Sequence, residues 1–89
     1  MKMGDLLMFY GDECKHCHEM IPLVEKLEKE GNVKVSRVET WHSSANKKKL
    51  EATPGYKECG GVPFFFNKKN KKTICGSAPY GKLKAWAEN

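Results

Sequence analysis

Leu6-Leu7-Met8-Phe9-Tyr10-Gly11-Asp12-Glu13-Cys14-Lys15-His16-Cys17 is the stretch on which the fold turns. Leu6 to Tyr10 is a continuous apolar run closed by Gly11-Asp12, which predicts a buried strand followed by a turn. A helix is expected from about Cys14 to Glu30. Its apolar positions Cys17, Met20, Ile21, Val24 and Leu27 recur at spacings of three and four, while Glu25, Lys26, Glu28 and Lys29 face outward. Gly31-Asn32 ends it. The two cysteines therefore fall where a strand hands over to a helix.

Further along, Val33-Lys34-Val35-Ser36-Arg37-Val38 alternates apolar and polar residues and predicts a second strand. With a helix between them, the two strands should lie parallel, as a βαβ unit requires. Ser43 or Ser44 can cap a second helix running to about Ala52, and Thr53-Pro54-Gly55 breaks it. Pro63-Phe64-Phe65-Phe66-Asn67 predicts a third strand, joined by the polar turn Lys68–Lys72 to a fourth, Thr73-Ile74-Cys75. A connection this short implies an antiparallel hairpin. Leu83, Trp86 and Ala87 give a last short helix one apolar stripe. The expected class is α/β: a four-stranded mixed sheet in the order β-α-β-α-β-β-α, flanked by helices.

A length of 89 residues fits one domain, residues 1–89. Hydrophobic residues at 39% and charged residues at 30% exclude a disordered chain. The net charge of +5 is concentrated in Lys47-Lys48-Lys49 and Lys68-Lys69-Asn70-Lys71-Lys72. Neither cluster is interleaved with aromatics, so a solvated helix face and a hairpin tip are expected rather than a nucleic-acid footprint. No run has the length of a membrane span. Met1-Lys2-Met3-Gly4-Asp5 lacks the apolar core and cleavage site of a signal peptide, so a cytoplasmic location is expected. In that reducing compartment four cysteines point to redox chemistry or metal binding rather than to a disulfide framework.

Cys14 and Cys17 are three positions apart at a helix start, close enough for a disulfide. Cys14 would sit among free backbone N–H groups at the positive end of the helix dipole, which favours the thiolate, the attacking species. Lys15 and His16 add positive charge in the same direction. Cys17, one turn further in, would be the buried resolving thiol. Three other chemistries fit a lone C-x-x-C: half a zinc site, haem attachment through Cys14-Lys15-His16-Cys17-His18, and two ordinary buried cysteines. The strand-to-helix setting favours redox chemistry. The strand-rich layout argues against a haem pocket.

With these features in place, the chain resembles the thioredoxin superfamily over nearly its whole length. Pro22, five residues after Cys17, is similar to that family's helix-kinking proline. Gly61-Val62-Pro63 before an aromatic strand looks like its cis-proline loop, and Ile74-Cys75-Gly76 resembles the glycine turn bordering its active site. The resemblance implies that Pro63 is cis and packs against the Cys14–Cys17 pair, and that the Val62 backbone pairs with an extended substrate. A lone Pro63 would otherwise read as a trans residue opening an edge strand, and a lone Pro22 as a kink without function. Glu13 replaces the tryptophan expected before the first cysteine, and Lys-His replaces Gly-Pro between the two. Met8 stands where thioredoxins bury an acid, which leaves Glu13, His16 or His18 as candidate proton acceptors for the resolving thiol. A histidine before the second cysteine is similar to the more oxidising relatives, so a centre less reducing than thioredoxin is expected. The layout is closer to glutaredoxin than to thioredoxin, but Ser77-Ala78-Pro79 after Gly76 carries no acid with which to grip glutathione.

Cys59 lies four residues before Pro63, and Cys75 directly precedes Gly76. The expected order is inert or structural thiols first, a Cys59–Cys75 redox pair second, and third a four-thiolate zinc or iron–sulfur centre with Cys14 and Cys17. His42, after Trp41, is expected to act locally in a loop or cap, and Tyr10 and Tyr56 to shape the surface near the motif. The expected function is thiol–disulfide exchange by a monomer. Its partners would be a disulfide-containing protein or low-molecular-weight thiol and a reductase or thiol donor, with no organic cofactor, resident metal, nucleic acid or membrane. A metal-binding or redox-sensing thiol module is the alternative, and a basic adaptor for an acidic partner is a third.

Overall fold

The computed structural model describes residues 5–88. The signal-peptide reading of residues 1–4 lies outside them. Strand β1 (Leu6–Tyr10) is the first of two central strands, and its unbroken apolar run is explained by cover on both faces. Leu6 and Met8 face a core shared with helix α1 (Lys15–Gly31), while Leu7 and Phe9 face a second core on the opposite side. Strand β2 (Val35–Glu39) pairs parallel to β1, with Met8 opposite Arg37. Strand β3 (Phe64–Asn67) pairs antiparallel to β1 on its other side, and β4 (Thr73–Cys75) pairs antiparallel to β3. The sheet order is β2-β1-β3-β4.

Helix α1 buries Cys17, Met20, Val24 and Leu27 against this sheet, as the three-and-four spacing requires. Pro22 lies inside the helix on its exposed face and lacks the N–H that would reach the His18 carbonyl. The helix ends on Asn32, in the left-handed conformation at φ 52°, whose N–H reaches the Glu28 carbonyl. Helix α2 (Ser44–Glu51) starts on Ser43, whose hydroxyl accepts the Asn46 N–H, and buries Leu50 on the far face of the sheet. Lys47, Lys48 and Lys49 are exposed there, and so are the four lysines of the β3–β4 turn. A short helix α3 (Tyr56–Cys59) follows, where only a chain break was expected. Its Tyr56 ring meets Phe64 edge-on at 5.8 Å. Helix α4 (Tyr80–Ala87) buries Leu83 and Trp86 beside α1.

Each sheet face is thus covered by one pair of helices. The fully buried Phe65, meeting the Trp86 ring edge-on at 5.4 Å, anchors the α1/α4 side. Phe9, Phe64 and Phe66 anchor the α2/α3 side. Asn67, at 1% exposure, is a buried polar residue with both ends of its amide satisfied. Its nitrogen donates to the Trp86 carbonyl at 3.0 Å, and its oxygen accepts the Lys69 N–H at 2.9 Å. The second strand starts at Val35 rather than Val33, because the Val33 N–H is taken by the Glu28 carbonyl of α1 and pairing with β1 begins at Leu6 opposite Val35; further along, Val35 packs toward α1 and Val38 toward α2. Arg37 stays exposed and pairs with Glu28 of α1 at 3.3 Å.

Candidate active site

Cys14 is the N-cap of α1, not its first helical residue. Its N–H closes the turn after β1 onto the Gly11 carbonyl at 3.0 Å, and its own carbonyl accepts the first helical bond from His18. Its backbone is extended, so its side chain folds back and its Sγ accepts the Cys17 N–H at 3.2 Å. The Cys14–Cys17 pair forms a disulfide, with Cα atoms 5.2 Å apart. Cys17 is fully buried, whereas Cys14 retains 7% exposure. When the pair is reduced, the Cys14 sulfur keeps that N–H donor and the helix dipole. No acidic residue in the first turn of α1 opposes them, so the arrangement favours a thiolate at Cys14.

Facing this pair, the Cys14 sulfur lies 3.9 Å from the Val62 carbonyl oxygen. The Val62–Pro63 peptide bond is cis, and Pro63 is buried. The Pro63 carbonyl accepts the Gly76 N–H at 2.8 Å, and Gly76 has φ +83°, a conformation that side chains strain to adopt. The structure therefore brings Cys14, Cys17, Val62, Pro63 and Gly76 together. Lys15 and His16 are exposed. The His16 ring pairs with Glu19 at 3.3 Å.

The position of the missing acid is filled by Met8, fully buried in the same core as both cysteines. Each candidate substitute has a partner of its own. Glu13 pairs with His42 at 2.7 Å, His16 with Glu19, and His18 with the Asp12 carbonyl. Among the described residues, no carboxylate or imidazole is hydrogen-bonded to either sulfur.

Three features near the pair carried no signal in the sequence. The Glu39 carboxylate accepts N–H bonds from Asp12, Trp41 and His42 at 3.1, 3.1 and 2.9 Å, tying the loop before Cys14 to the end of β2. Partial desolvation of Glu39 raises its pKa, but the N–H donors of His42, Asp12 and Trp41 outweigh this and leave it below its ordinary value. The His42 pKa is raised by its hydrogen bond and charge pairing with Glu13. Trp41, at 53% exposure, lays its indole over Gly11, where a Cβ would overlap the ring. Trp41, Lys47, Tyr56, Gly60, Gly61 and Val62 line an open groove of about 470 Å³ beside the Val62 carbonyl. The Asp12–Glu39 and Glu13–His42 bonds join residues 27 and 29 positions apart in sequence, and no local pattern announces them.

Cys59 and Cys75 correct the expected order of readings. They are joined as a second disulfide, with Cα atoms 5.5 Å apart, and are not inert thiols. Strand pairing sets Cys75 opposite Phe64, whose ring belongs to the α2/α3 core, while Cys14 and Cys17 belong to the α1/α4 core. The four sulfurs form two separate pairs rather than one cluster. The one group of three potential metal ligands among the described residues is Asp12, Glu39 and His42, exposed or half-buried, in which the Glu39 carboxylate already accepts the backbone N–H groups of Asp12 and His42 and the His42 ring is held by Glu13.

A mixed sheet between two helix pairs, with a C-x-x-C disulfide at the start of the first helix, defines a thioredoxin-like fold carrying a site suited to redox thiol chemistry. Among solved structures, the chain is similar to a mutant thioredoxin from Halobacterium salinarum NRC-1. The TM-score is 0.68 and the identity 23%, and the match covers 94% of this chain and 74% of that one. No family model matches the sequence, and no curated protein matches it. No helix among the described residues is long and apolar enough to cross a membrane.

Proposed function

We propose that the protein is a dithiol–disulfide oxidoreductase that exchanges electrons with protein or small-molecule disulfides. The Cys14 thiolate attacks one substrate sulfur and breaks the substrate S–S bond, and the departing sulfur takes the electron pair. Cys17 then loses its proton, attacks the Cys14 sulfur and releases the second substrate thiol, leaving the Cys14–Cys17 disulfide. With no carboxylate at hand, the departing thiolate or solvent takes the Cys17 proton. Val62 offers its backbone to an extended substrate segment, Pro63 and Gly76 hold that loop, and Lys15 and His16 contribute positive charge. The observation that carries this reading is the Cys14 sulfur, capped by the Cys17 N–H and facing the Val62 carbonyl at 3.9 Å.

The electrons come from a reductase or thiol donor, and the cytoplasm suits such a cycle. The protein acts as a monomer and needs no organic cofactor. Pairing of the four sulfurs into two disulfides supports exchange over a four-thiolate metal centre. The test is reduction of insulin disulfides by dithiothreitol. The wild-type protein should accelerate it, and Cys14→Ser should fall to the rate of dithiothreitol alone. Equal rates for the two proteins would remove the proposed activity.

A further inference from the structure

Cys59 ends helix α3, which buries no side chain. Gly60 follows in the left-handed conformation at φ +77°, and a Cβ on Gly60 or Gly61 would meet nothing within 4 Å. The next residue is Val62, whose carbonyl faces Cys14. This segment is held by the Tyr56 ring on Phe64 before it, by the Gly60 N–H on the Tyr56 carbonyl, by half-buried Val62 packed against both cores, and by the Gly76 bond to Pro63 after it, while Gly60 and Gly61 themselves bury no side chain. Between those anchors, the Cys59–Cys75 bond ties it covalently to edge strand β4, across 16 residues of sequence. Few buried contacts mark a segment of low local stability, whose order then depends on such a cross-link. Cys75 is exposed and Cys59 half-buried, whereas Cys14 and Cys17 are both buried.

We propose that Cys59–Cys75 is a second thiol–disulfide centre, open to dithiols in solution, whose redox state fixes or frees residues 60–62 beside Cys14. A thiolate of the dithiol attacks the exposed Cys75 sulfur, and the Cys59 sulfur leaves with the electron pair and takes a proton. The second thiol of the reductant then attacks its own sulfur in the mixed disulfide and releases Cys75. The reductant ends as a disulfide, and the protein has gained two electrons and two protons. In the oxidised state Gly60, Gly61 and Val62 form one wall of the groove described above. In the reduced state that wall is free to move, and substrate pairing at Val62 weakens. This last consequence rests on the proposed exchange at Cys14, while the redox step does not.

The experiment uses two full-length variants. In Cys14→Ser/Cys17→Ser, native-state dithiothreitol treatment followed by alkylation should add two labels, at Cys59 and Cys75. Backbone hydrogen exchange at residues 60–62 should then accelerate by about tenfold or more, with β1 and β3 unchanged. Labels that enter only after denaturation, or unchanged exchange at 60–62, would overturn the second centre. Without any reductant, Cys59→Ser/Cys75→Ser should bind a thiol-blocked, extended peptide with a several-fold higher Kd than the oxidised wild type. Equal Kd values would overturn the link to Cys14. Hydrogen exchange needs no activity, so an inactive wild type would sink the proposed function and leave the second centre standing.

Discussion

The Glu13 carboxylate next to Cys14 does not face the sulfurs; it holds the His42 ring at 2.7 Å. This bond and the charge of Glu13 raise the His42 pKa above its ordinary 6.5. A raised folded-state value means that the stabilisation is complete below 6.5 and fades as pH climbs through the higher, folded value. The His42 imidazole should therefore titrate above 6.5 by NMR, and Glu13→Gln should bring it back down. Glu39 works in the opposite direction. Its pKa lies below the ordinary 4.5, so its hold on the Asp12, Trp41 and His42 amides persists above that value and is lost as pH falls through the lowered one. Gly11→Ala tests the same loop sterically. Its methyl would overlap the Trp41 indole, so the Trp41 Nε1–H signal should shift and exchange activity should fall. Unchanged signal and activity would mean that the indole does not brace this turn. The sequence places Glu13 correctly beside Cys14, but it cannot show that His42, 29 residues later, claims that carboxylate.

The cores of the helices and strands were legible because their periods are set by burial. Cys17, Met20, Val24 and Leu27 on α1 follow a helical stripe, and the run in β1 marks a strand covered on both faces. Phe65, fully buried against Trp86, is the most consequential member of the α1/α4 core. Phe65→Ala should cost about 3–5 kcal/mol in urea unfolding, transfer and cavity contributions together. Pro22 is exposed and its ring interrupts the ladder of α1, so Pro22→Ala should restore a bond to the His18 carbonyl. A gain of about 2 kcal/mol is expected, with the better helix former partly offset by a freer unfolded chain. Helix α3 escaped detection because it has four residues, no side-chain cap and no buried side chain. The start of β2 was misplaced because Val33 and Val35 both pack on the α1 side and so continue the alternation, although the Val33 N–H is taken by the Glu28 carbonyl and the pairing with β1 begins at Val35.

Across the molecule, the site arises where β1 ends, α1 begins and the loop before β3 turns back to meet them. The sequence carried this meeting point through its motif residues, Cys14, Cys17 and Gly61-Val62-Pro63, because chemistry fixes residue type there. The second disulfide was harder to see, since a separation of 16 positions in sequence gives no indication that Cys59 and Cys75 converge. Met8 replaces a buried acid, and the helix start favours the Cys14 thiolate. The Cys14–Cys17 couple should therefore be less reducing than thioredoxin's roughly −270 mV, measured by equilibration with glutathione. A value at or below thioredoxin's would contradict that expectation. The central claim is the division of labour between the two cysteines, and trapping tests it most directly. Cys17→Ser, offered a disulfide substrate, should accumulate a mixed disulfide on Cys14 by mass spectrometry, released by dithiothreitol. No adduct on Cys14, with the substrate disulfide left intact, would contradict the account.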